Sequence, residues 1–95
     1  MLTKETVLKM VTEERERQDV KWGYPQINTP FEWVSILGEE YGKFSKAVND
    51  AFIGKTPDGN CEEVLRYAVQ VASVAVAIVE HYGNSPMCGR KLGEE

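Results

Sequence analysis

The chain has 95 residues, 42% of them hydrophobic, enough for one small domain that buries roughly 60 to 68% of its unfolded surface. Its 11 basic and 15 acidic residues give a formal net charge of −4 and are mixed along the sequence, which argues against a general binder of polymeric nucleic acid or of membrane surfaces. Met1 to Met10 carries no signal-peptide pattern, the apolar runs are interrupted too often to span a bilayer, and Cys61 and Cys88 have neither CxxC spacing nor histidine partners, so a cytoplasmic protein with two free thiols is expected.

The first predicted element is a helix from Thr3 to about Val20, with apolar residues at Val7, Leu8, Met10, Val11 and Val20 and a polar second half. In that half Glu13 with Arg17, and Arg15 with Asp19, have the spacing of solvated i,i+4 pairs. Lys21 to Pro30 carries Gly23, Pro25, Asn28 and Pro30 and reads as a loop, whose Trp22 and Tyr24 either cover the end of the core or offer a face for a base. Thr29, Pro30 and Glu32 spell a capping box with proline at the first helical position.

The helix that follows, Trp33 to Asp50, organises the chain. Helical period places Val34, Ile36, Leu37, Tyr41, Phe44, Ala47, Val48 and Ala51 on one apolar face, interrupted by Glu39 and Glu40. Two readings fit that pair: carboxylates solvating the shoulder of an amphipathic helix, or acids of a functional site. Gly54 to Gly59 is a turn without P-loop spacing. Asn60 then caps a third helix in which Arg66, Gln70 and Ser73 are the only strongly polar residues from Val64 to Val79 and lie on one narrow stripe. A helix apolar on nearly every other side needs cover on nearly every side, which predicts a homodimer or homotetramer built on the third helix. His81, the single histidine, falls at that helix's C-terminus and reads as a cap; residues 84–95 read as a loosely ordered tail after a helical domain of residues 1–83.

Three segments in order, ERERQDVKWG, the W-x-x-x-L-G-E-E-x-G-x stretch from Trp33 to Lys43, and LRYAVQVASVAVAIVE from Leu65 to Glu80, resemble the MazG-like branch of the all-α nucleoside triphosphate pyrophosphohydrolases over about four fifths of the chain. The resemblance implies an all-α bundle of three main helices per chain, dimeric or tetrameric, that cleaves a nucleoside triphosphate between its α and β phosphates with Mg²⁺ or Mn²⁺. The ion would be held by E-E-x-x-E on one helix and E-x-x-D on the next, a donor set that suits a hard cation bridging phosphate oxygens.

Carried over residue by residue, Glu39 and Glu40 are the catalytic acids and metal ligands, Gln70 stands where the Asp is expected and assists the metal, and Arg17, Lys21, Trp22 and Lys43 meet the substrate. This chain departs from the pattern at two further points, with Lys43 in place of the third acid and Tyr67 in place of the Glu. An ammonium about 4 Å from a bound cation costs roughly 4 kcal/mol per unit charge at an effective dielectric near 20, so weak metal binding is expected. Glu62, Glu63 or Asp50 as substitute ligands, or Lys43 binding phosphate in place of one metal, are the compensations that the sequence offers. Two functions follow: a pyrophosphohydrolase with a depleted metal site, or a nucleotide-binding or protein-interaction module on the same fold.

Overall fold

The computed structural model describes residues 2–83, so the expected tail and Cys88 lie outside the described residues. Three helices make the fold, α1 (Lys4–Trp22), α2 (Pro30–Val48) and α3 (Cys61–Tyr82), and no strand occurs among the described residues. Helix α3 packs against both of the others.

Each helix begins where its cap stands in the sequence. Thr3 accepts a hydrogen bond from Thr6 N at 3.1 Å and starts α1. At α2 both halves of the capping box form, Thr29 N to Glu32 Oε1 at 2.9 Å and Glu32 N to Thr29 Oγ1 at 3.1 Å. Asn60 Oδ1 accepts from Glu63 N at 3.3 Å at the head of α3.

The helix ends differ more from expectation. Helix α1 runs on through Lys21 and Trp22, because Gly23 is the first residue that readily takes the positive φ, 91°, with which its N–H turns back to Asp19 O at 2.8 Å. Lys21 in the last turn also meets the negative end of the helix dipole. Helix α2 passes into a π-helical turn, Asn49–Ile53, closed by Gly54 N donating to Asn49 O at 2.7 Å, and Ala51 on this turn is buried.

The buried faces are also rotated from the predicted ones. On α2 the buried positions are Trp33, Glu40 and Ala47, seven residues apart, while Val34 and Tyr41 point to solvent. Glu40 therefore lies in the middle of the packed stripe rather than on its shoulder, and Glu39 beside it is exposed. On α1 the buried positions are Val11, Arg15 and Gln18, so two residues of the segment read as solvated, Arg15 and Gln18, are interior. Glu13 pairs with Lys9 instead of Arg17.

Trp33, Val74 and Ala77 form the core, with Ile36, Leu37, Ile78 and Tyr82 packed on it. Ser73, fully buried, donates from Oγ toward Val69 O at 2.7 Å and lies 3.2 Å from Val11 O, fixing α3 against α1. The His81 ring stacks on Trp33, centroids 5.8 Å apart, and meets Tyr24 at 5.7 Å. With Tyr82 Oη donating to Asn28 O at 3.1 Å, this ties the α1–α2 loop to the end of α3.

Helix α3 is 22 residues long with a window of mean hydropathy 1.3, long and apolar enough to cross a membrane by length and composition, contrary to the reading of its polar interruptions. Only 17% of that window is buried within the chain, and Leu65, Val76 and Val79 are exposed on it.

Candidate functional site

A cleft of about 1030 Å³ opens between the three helices and the α1–α2 loop. Helical spacing brings its walls together. Glu14, Arg17, Gln18 and Lys21 share one face of α1; Ile36, Glu39, Glu40 and Lys43 share one face of α2; Arg66, Tyr67 and Gln70 share one face of α3. Trp22 and Pro25 to Asn28 of the tethered loop also line the cleft.

All seven residues singled out in the sequence, Arg17, Lys21, Trp22, Glu39, Glu40, Lys43 and Gln70, line this one cleft. The extension of α1 is what puts Lys21 one turn beyond Arg17 on the same face. Glu14 and Arg66 are wall residues that the sequence reading did not assign to a site. Each carried a signal: Glu14 precedes Arg17 and Lys21 at i, i+3, i+7 spacing, and Arg66 shares the polar stripe with Gln70. Asp50 and Glu63, offered as substitute acids, line a separate groove of about 150 Å³ with Asp58 and bond to Lys46 and Arg66, and Glu62 lines neither cavity.

The charges in the cleft are unequally committed. Arg17 closes on Glu14 through both Nε, at 2.8 Å, and Nη2, and Gln18 Nε2 donates to the same carboxylate at 3.2 Å. The hydrogen bond to Glu14 raises the Arg17 pKa against the opposing effect of burial, with the charges of Glu14 and Glu40 adding to it. Lys43 Nζ stands 3.4 Å from Glu40 Oε1 and 3.8 Å from Glu39 Oε1, long for a charge-assisted bond. Glu40, its side chain only 9% exposed, keeps Oε2 buried without any hydrogen-bond partner. Arg66 donates through Nη2 to Glu63 Oε1 at 2.7 Å and to Tyr67 Oη at 3.2 Å, and its pKa is raised by the charge of Glu63 first and by Tyr67 next. Lys21 Nζ lies 5.4 Å from the centre of the Trp22 ring.

The unpartnered Glu40 oxygen is buried, as are the unpartnered Arg15 Nη1 and His81 Nε2, so it does not by itself mark a cation site. The rest of the donor set does not build a resident Mg²⁺ or Mn²⁺ cage. Among the described residues no group of three or more carboxylate, histidine or cysteine side chains converges, Lys43 occupies the space beside both acids, and Gln70 adds one neutral amide. Four cations against three carboxylates make the wall net positive within an acidic chain. Such a wall suits a polyanion.

No family model, curated protein or solved structure matches the chain.

Proposed function

We propose that this protein binds a nucleoside triphosphate in the cleft, on the plan of the MazG-like proteins it resembles, as a nucleotide-binding module. The observation that carries the reading is a cluster of cations from all three helices, Arg17 and Lys21 on α1, Lys43 on α2 and Arg66 on α3, facing one cleft of nucleotide size. Trp22, partly exposed at the rim, offers a ring on which a base can stack, and the loop from Pro25 to Asn28 supplies backbone groups for its edge. The polyphosphate lies toward the Lys43 end.

Two adjacent carboxylates on the cleft wall, Glu39 and Glu40, favour a second reading, a pyrophosphohydrolase in which water attacks the α phosphorus and pyrophosphate leaves, with the divalent ion brought in on the nucleotide. In that reading Glu39 and Glu40 are the catalytic and ion-facing acids and Gln70 assists them.

Both readings include a cytoplasmic homodimer or homotetramer. Leu65, Val76 and Val79 on the uncovered face of α3 are its contact surface, and light scattering on the purified chain measures the assembly.

The deciding experiment measures melting temperature and pyrophosphate release with a panel of ribo- and deoxyribonucleoside triphosphates, with and without Mg²⁺, for the natural chain and Glu40→Ala. A nucleotide-dependent rise in melting temperature without release is expected for the module. Release that disappears in Glu40→Ala makes it the hydrolase, and neither response from folded protein removes nucleotides from the account.

A further inference from the structure

Lys21, Lys43 and Arg66 differ from Arg17 in what they leave unused. Arg17 is closed by Glu14 at two nitrogens. Lys21 pairs with no carboxylate among the described residues and rests over Trp22. Lys43 holds its two acids only at 3.4 and 3.8 Å, and its side chain is 46% exposed. Arg66 bonds through Nη2 alone, so Nε and Nη1 keep their donors for another partner.

A phosphate chain needs positive charge along its oxygens, which a divalent ion supplies by coordination in a cleft lined by carboxylates and which Lys and Arg supply with directed N–H donors. Here two of the three departures from a carboxylate lining bring a cation with them. Lys43 occupies the third-acid position, and Tyr67 follows Arg66 while its hydroxyl and ring hold the guanidinium, 5.0 Å from the ring centre. Lys43 also half-neutralises Glu39 and Glu40, the acids that would otherwise repel phosphate.

We infer that the cleft grips the polyphosphate of its ligand without a divalent metal, Lys43 and Arg66 standing in for the ion against the phosphate oxygens. The inference rests on the reading of the cleft as a nucleoside triphosphate site, but its chemistry concerns the phosphate chain alone. On binding, Lys43 exchanges its long carboxylate contacts for shorter ones to phosphate. Arg66 adds Nε and Nη1 while Nη2 stays with Glu63 and Tyr67. Chelation of the phosphates by Mg²⁺ competes with this grip because it removes the charge that the two side chains read.

The test is calorimetric titration of the full chain with ATP, dATP and inorganic tripolyphosphate, each in EDTA and in Mg²⁺. Binding in EDTA at least as tight as in Mg²⁺ is expected. Lys43→Gln and Arg66→Gln, both at exposed positions and so without threat to folding, each weaken binding in EDTA by about tenfold or more. Lys43→Glu weakens it further and introduces a requirement for Mg²⁺. Nucleotide binding that needs Mg²⁺ in the natural chain, or binding in EDTA that survives both glutamine variants, overturns the inference and leaves the nucleotide reading standing. Tripolyphosphate bound in EDTA with no nucleoside triphosphate bound supports the grip and sinks the nucleotide reading. Absence of all binding from protein with an intact helical circular dichroism spectrum overturns both.

Discussion

Two clusters of charge lie within this small bundle, and they are built in opposite ways. Around Arg15 the cluster is closed. Its side chain, 5% exposed, reaches from α1 to Glu80 on α3 with Nε at 3.1 Å and Nη2 at 3.3 Å, while Nη1 lies 2.9 Å from Asp19. Burial works to lower the Arg15 pKa, yet the hydrogen bonds to Glu80 and Asp19 outweigh it and the guanidinium stays charged. Around Lys43 the cluster is open: its contacts are long, they stay within α2, and one oxygen of Glu40 has no partner. A network that joins two helices holds the fold, even though Arg15 Nη1 beside Asp19 is as short of a well-aligned hydrogen bond as Glu40 Oε2 is of any, whereas one that stays within a single helix beside a cavity leaves the Lys43 donors for a ligand.

Removing the central charge of each cluster should separate them most widely. Arg15→Met leaves Glu80 and Asp19 without their shared partner, and a loss of about 2 to 3 kcal/mol is expected, below the full cost of breaking a buried pair because Glu80 is partly exposed. For a chain of this size that lowers the melting temperature on the order of 10 °C or more. Lys43→Met should cost about 1 kcal/mol or less. Equal losses in thermal or urea melts would erase the distinction.

The sequence made the helix starts legible because caps are local: Thr29 with Glu32, and Asn60 with Glu63, need only their neighbours. It did not disclose that Arg15 is interior, because the partner that makes its burial tolerable lies 65 residues away and a charged stretch looks solvated when read alone. For the same reason Glu40 was legible as one of two acids, but not as the buried one. Its place in the packed stripe follows from the rotation of α2 that sets Trp33 on the core and Val34 in solvent. The gathering of Arg17, Lys21, Trp22, Glu39, Glu40, Lys43 and Gln70 came from resemblance rather than from spacing, since spacing can place residues on one helix face but not choose the facing helices.

Glu40 sharpens the comparison at the open cluster. Glu40→Met removes a buried carboxylate oxygen that has no partner, and it leaves Lys43 with Glu39. Stability is expected to hold or to rise by up to about 1 kcal/mol. Binding of nucleoside triphosphate should nevertheless change by about tenfold, weaker if Glu40 accepts from the ligand or faces its ion, tighter if its charge only opposes phosphate. A melting temperature that falls by several degrees would mean that Glu40 belongs with Arg15 among the structural charges.

The smallest effects come from one stripe of α3, where Ser73 and Gln70 lie a single turn apart and belong to different regions. Ser73 Oγ, fully buried, serves the seam with α1 through Val69 O and Val11 O, while Gln70 lies on the cleft wall and its side chain hydrogen-bonds to no other described residue. Ser73→Ala should cost about 1 kcal/mol of stability, the worth of one such bond, and leave tripolyphosphate affinity where it was. Gln70→Leu should do the reverse, holding or slightly raising the melting temperature while weakening the ligand, because an amide facing a polar cavity contributes to what enters the cavity and not to the packing behind it. If both variants moved stability and neither moved binding, the boundary between seam and cleft would not run between these two residues, and the cleft would end at Tyr67.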